Sequence, residues 1–119
     1  MVKAKKPKIY LTDRAIADLR EIESYTIAKW GTKQAAKYLD AFEHFFKLIE
    51  SEPAILSPVP MIEPLLTHTV ESHIVVCTLW RNDVLVLTIV HSSRDVFNHL
   101  DRLLPTLKFE VELLKNQLP

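Results

Sequence analysis

Glycine occurs once in this 119-residue chain, at Gly31, against seven prolines. Phosphate-cradling loops and nucleophile elbows need closely spaced glycines, because only glycine lets the backbone approach a ligand or turn that sharply. ATPases, Rossmann dehydrogenases and α/β-hydrolases are therefore excluded together. The same scarcity gives the one glycine a definite meaning. Before it, Ala15, Leu19, Ile22, Thr26 and Trp30 recur at three- and four-residue steps, one buried helix face that Thr12 can cap and Asp13 can open. After it, Ala35, Tyr38, Leu39, Phe42, Phe45, Phe46 and Ile49 form a wide apolar stripe that Pro53 closes, with Thr32 as its candidate cap. Two helices, over about 13 to 30 and 33 to 51 and joined at Gly31, must fold back as an antiparallel hairpin.

The remainder reads as sheet. Ile74–Trp80 and Val84–Val90 are β-branched and apolar on nearly every residue, and Arg81-Asn82-Asp83 between them is turn chemistry, so they form a β-hairpin. Residues 65–71 add a neighbouring strand. Pro53, Pro58, Pro60 and Pro64 make the stretch from 53 to 64 a stiff extended loop or a sheet edge. Asp95 can cap a short third helix carrying Phe97, Leu100, Leu103 and Leu104, with Pro105 as its stop. Strands with no polar alternation need both faces covered, and the helical hairpin covers one. The second cover is either the 106–119 tail or another chain, and a partner segment is expected to contribute, leaving the isolated protein dimeric or aggregation-prone. The fold class is α+β: an N-terminal helical hairpin on one face of a small antiparallel β-sheet, with a short C-terminal helix or tail. Leu19, Ile22, Leu39, Phe42, Phe46, Val76, Leu87 and Ile89 are expected in the core.

Composition bounds the rest. The length fits one domain, 1–119. Fifteen basic and fifteen acidic residues cancel, which argues against sequence-specific DNA binding by this chain alone. Lys3, Lys5, Lys6 and Lys8 form a basic run within residues 1–8, expected to be a solvated, flexible arm. Cys77 is the single cysteine, and the five histidines lack metal-ligand spacing, so no metal or cofactor is expected. The start carries no secretory h-region and no stretch is long enough for a membrane span, which places the protein in the cytoplasm.

The ordered set of motifs resembles the ParE branch of the RelE/ParE toxin superfamily. It is carried by Ala15, Asp18-Leu19, Ile22, Tyr25, Trp30-Gly31, Gln34-Ala35 and Tyr38, then by His73, Arg81-Asn82-Asp83 and His91 to Asp95. Together these span most of residues 9 to 95. The chain departs from the pattern in its Pro-rich stretch, which has no Gly, Arg or Lys, and in residues 105–119, which run beyond where many members end. The resemblance implies the toxin of a type II toxin–antitoxin pair of the plasmid-stabilisation kind. A cognate antitoxin would neutralise it, as a hetero-oligomer if not a homodimer. ParE-type members inhibit DNA gyrase and RelE-type members cleave mRNA at the ribosome.

Chemistry separates these activities. Cleavage by 2′-hydroxyl attack needs a base, an acid and clustered positive charge on the phosphate. Residues 53 to 80 contain no Lys or Arg, and no tyrosine follows Tyr38. His91, Arg81 and Arg94 are the remaining candidates for a ribonuclease, the alternative to gyrase inhibition; a non-toxic binding module is the other. As partner-binding residues Trp80, Arg81, His91, Arg94 and Asp95 stand out. Against this, His91 beside Ser92, Ser93 and Asp95 reads equally as a hydrogen-bonded turn residue, and Arg94-Asp95 as a local ion pair or cap. His73 reads as a satisfied edge residue, Trp30 as a core plug and Tyr25 as scaffold.

Overall fold

The structure, a computed structural model, describes residues 6–93 and 95–119. Ile9–Leu11 forms β1, followed by α1 (Asp13–Trp30) and α2 (Thr32–Ser51). A 3-10 turn at Pro53–Ile55 leads to the two-residue edge strand β2 (Ser57–Pro58), and then β3 (Leu66–Val70), β4 (His73–Trp80) and β5 (Asp83–His91). The chain finishes in α3 (Val96–Gln117). The sheet order is β1-β5-β4-β3-β2. All pairings are antiparallel except β1 with β5, so the sheet is mixed, a departure from the antiparallel expectation.

The helical hairpin forms as its sequence requires. Thr12 caps α1 by accepting the Ala15 N–H at 3.0 Å. Gly31 joins the helices at φ 91° and ψ 169°, a conformation that side chains strongly disfavour; nothing lies within 4 Å of an added Cβ, so the constraint is in the backbone alone. Thr32 is the first residue of α2, and no side chain caps that helix. Where β1 ends, α1 takes over the edge of β5. Thr12 Oγ1 donates to the Leu87 carbonyl at 2.7 Å, and Asp18 Oδ2 accepts the Ile89 N–H at 3.0 Å and the Thr88 hydroxyl at 2.5 Å. Backbone groups that would lack partners at the strand end are thereby satisfied.

Both sheet faces are covered. On one, Ala15, Ile22, Phe42, Phe45 and Ile49 pack on Val75, Cys77, Val84, Val86 and Ile89. Burial pushes the Cys77 thiol up to about 12. On the other face, Leu100, Leu107, Val111 and Leu114 of α3 pack with Ile62 and Leu65 over Val76, Leu85 and Leu87. The short third helix and separate tail expected from Pro105 are thus one 22-residue helix, and this chain supplies its own second cover. Proline inside a helix costs about 3 kcal/mol. Burying Leu107, Val111 and Leu114 beyond it returns about 1.5–3 kcal/mol each, which outweighs that cost. Pro105 itself is on the exposed side.

One residue sets the parity of β5. Val76 pairs with Thr88 while Cys77 pairs with Val86, so Leu87 is an inserted residue, a β-bulge. Upstream of it Val84 and Val86 face the helical hairpin; downstream Ile89 does, where unbroken alternation would have turned it to α3. Of the expected core, Ile22, Phe42, Val76, Leu87 and Ile89 are buried, and Leu19, Leu39 and Phe46 are partly buried against the same cluster.

Candidate partner-binding surfaces

The bulge carries His91 to the side of the sheet that bears the helical hairpin, opposite His73 across the strand pair. Their rings meet edge to face at 5.0 Å. Tyr38 of α2 locks this end. Its hydroxyl oxygen accepts the Ser72 N–H at 3.1 Å and the hydroxyl donates to His73 Nδ1 at 2.6 Å, so the neutral ring keeps its proton on Nε2. His91 Nδ1 accepts the Ser93 N–H at 3.0 Å in the same way. In both rings the basic lone pair is already engaged. Burial holds the His73 pKa below its usual value; His91 lowers it further by repulsion and Asp18 opposes the shift.

Beside the histidines opens a groove of about 630 Å³, walled by α1, the start of α2 and the ends of β4 and β5. Its outer rim is Tyr25, Lys29 and Trp30. Tyr25 and Trp30 are 63% and 64% exposed, which corrects their reading as scaffold and core plug. The three- and four-residue periodicity brings Trp30 to the helix end but says nothing of whether strand lies beneath it, and none does. The Lys29 ammonium sits 5.6 Å from the Tyr25 ring centroid and 5.3 Å from that of Trp30, holding the pair together by cation–π attraction.

Trp80 and Arg81 lie at the other end of the strand pair, where Arg81 turns the chain at φ 59°. Eight residues of β5 separate this turn from His91, roughly 25 Å at strand rise. The ribonuclease constellation of His91 with Arg81 is therefore not assembled. Arg94 lies outside the described residues, as do Lys3 and Lys5. Asp95 caps α3, accepting the Asn98 side-chain N–H at 2.6 Å and its backbone N–H at 3.5 Å. The Trp80 ring packs against the α3 cluster and carries the Arg81 guanidinium at 4.3 Å and the Lys115 ammonium at 5.6 Å. Among the described residues no cluster of three or more metal-binding side chains occurs, and no helix is long and apolar enough to cross a membrane.

A helical hairpin laid on a five-stranded mixed sheet, with an exposed aromatic groove and no assembled phosphate-cleaving centre among the described residues, defines a small toxin-like binding domain. The family model of the ParE toxin of type II toxin–antitoxin systems, parDE, matches residues 9–96, and the chain belongs to that family. Among solved structures it is similar to a chain of the chromosomal ParDE toxin–antitoxin system from P. aeruginosa. The two share 18% sequence identity at a TM-score of 0.65, over 74% of this chain and 98% of that one. A search of curated proteins returns no match. The chain is thus a type II toxin component, and its family pairs it with an antitoxin.

Proposed function

We propose that this toxin acts by binding a protein target, DNA gyrase, in the cytoplasm, and that it is neutralised when its antitoxin covers the binding surface. The observation that carries this reading is the groove rimmed by Tyr25 and Trp30. Two large aromatics, exposed side by side and steadied by a lysine, are the residue types that dominate protein interfaces. Catalysis is disfavoured by the engaged Nδ1 atoms of His73 and His91, since a general base needs a free lone pair at the site.

Purified chain added to purified gyrase should abolish supercoiling. The Tyr25→Ala, Trp30→Ala double variant, altered only at exposed positions, should lose at least tenfold in potency while keeping the melting temperature. Translating ribosomes should show no mRNA cleavage. Cleavage that vanishes in His91→Ala would establish the ribonuclease reading instead, and a chain that arrests neither gyrase nor growth would be an inert binding module.

A further inference from the structure

Three separate stretches of chain converge at the turn between β4 and β5. Lys6 and Lys8 enter from the segment before β1, Trp80 and Arg81 form the turn, and the end of α3 closes the side with Leu118 and Pro119. The depression between them is about 340 Å³. Its one acid, Asp83, is occupied locally, accepting the Lys8 backbone N–H at 2.9 Å. Arg81 Nη1 donates to the Pro119 carbonyl oxygen at 3.1 Å, which fixes the guanidinium over Trp80. Lys115 nearby is paired with Glu112 at 3.5 Å. Among the described residues Lys6, Lys8 and Arg81 have no carboxylate ion pair. Three uncompensated cations thus gather at one depression, in a chain whose formal charge is zero.

We infer that this depression is a second docking surface, distinct from the aromatic groove, and that it takes an acidic segment of a partner protein. A held guanidinium presents a planar fork of donors that fits a carboxylate, and two lysines beside it accommodate a second acidic side chain. A nucleic acid fits less well. The aromatic surface on which a base would stack is already engaged by Arg81, Lys115 and the α3 cluster. The neutral chain also lacks the broad positive field that draws a polyanion. The position suits a bound protein strap: it lies at the opposite end of the strand pair from the groove, so one partner reaching along the sheet could engage both.

The test uses the full chain and three fluorescein-labelled probes: a twelve-residue peptide alternating Glu and Ala, its Gln counterpart, and a twelve-residue oligothymidylate. Anisotropy should show the Glu peptide binding at least tenfold tighter than either of the others. That advantage should be lost in Arg81→Gln and in the Lys6→Gln, Lys8→Gln double variant, whose lysines are exposed and carry no fold contacts. Tyr25→Ala, Trp30→Ala should leave it unchanged, which keeps this surface separable from the gyrase reading. Tighter binding of the oligothymidylate, or Glu-peptide binding indifferent to both sets of Gln variants, would overturn the assignment.

Discussion

The two faces of the sheet are equally dry and were closed by different means. The first is covered by the helical hairpin, within the span that the ParE family model matches; the second is covered by α3, which begins where that match ends at residue 96. Val76, Leu85 and Leu87 beneath α3 are as fully buried as Val75, Val84 and Val86 beneath the hairpin. A chain of the family length alone would leave that second face open or hand it to a partner. Here one molecule carries both covers, which makes its solubility independent of an antitoxin on that face.

Removing the second cover should have the largest effect. Deleting residues 105–119 strips Leu107, Val111 and Leu114 from the sheet, and the truncated chain should aggregate or melt far below the full one in light scattering and calorimetry. A truncated chain that stays monomeric at an unchanged melting temperature would break the equivalence of the two faces. Next come single cavities, one per face. Phe42→Ala should cost about 3–5 kcal/mol and Leu107→Ala about 2–5 kcal/mol in urea denaturation. A negligible loss for Leu107→Ala would mark α3 as a loose lid rather than core. Pro105→Ala should act in the opposite direction and stabilise the protein by up to about 3 kcal/mol, since it restores a helix hydrogen bond at an exposed position.

The smallest effect is a pH dependence specific to the first face. The folded His73 has a lowered pKa, so on acidification the unfolded chain takes up its proton first. The stability tied to neutral His73 is present above the unfolded value near 6.5 and is lost as pH falls through the lowered folded value. Stability should therefore decline below about pH 6.5. In His73→Gln that part of the slope should flatten, whereas Leu107→Ala should retain it.

The hairpin was legible because period, cap and turn agree: Thr12, the apolar steps of α1 and α2, and Gly31 all specify one geometry. The strand pair was legible from its β-branched runs. Pro105 hid the continuity of α3, although Leu100, Leu103 or Leu104, Leu107, Val111 and Leu114 keep the helical step straight through it. A local penalty was weighed there without the burial that repays it. The site was less legible still. The bulge at Leu87 decides which face His91 joins, and a uniformly apolar strand carries no alternation to betray an inserted residue. Trp80 and Arg81 stood out as a pair, but only the chain path shows that Lys6 and Lys8 come to the same place and that His91 does not.

The single thiol offers a clock on this architecture. Cys77 is fully buried between the central strands and the helical hairpin, and its proton is held to about 12. An alkylating reagent reacts with the thiolate, so the native molecule should resist it at neutral pH, and modification should await an excursion that parts α2 from β4. The labelling half-time then reports how often the molecule breathes. A ligand that clamps the hairpin against the sheet would slow the clock, and one that merely touches the rim would leave it running.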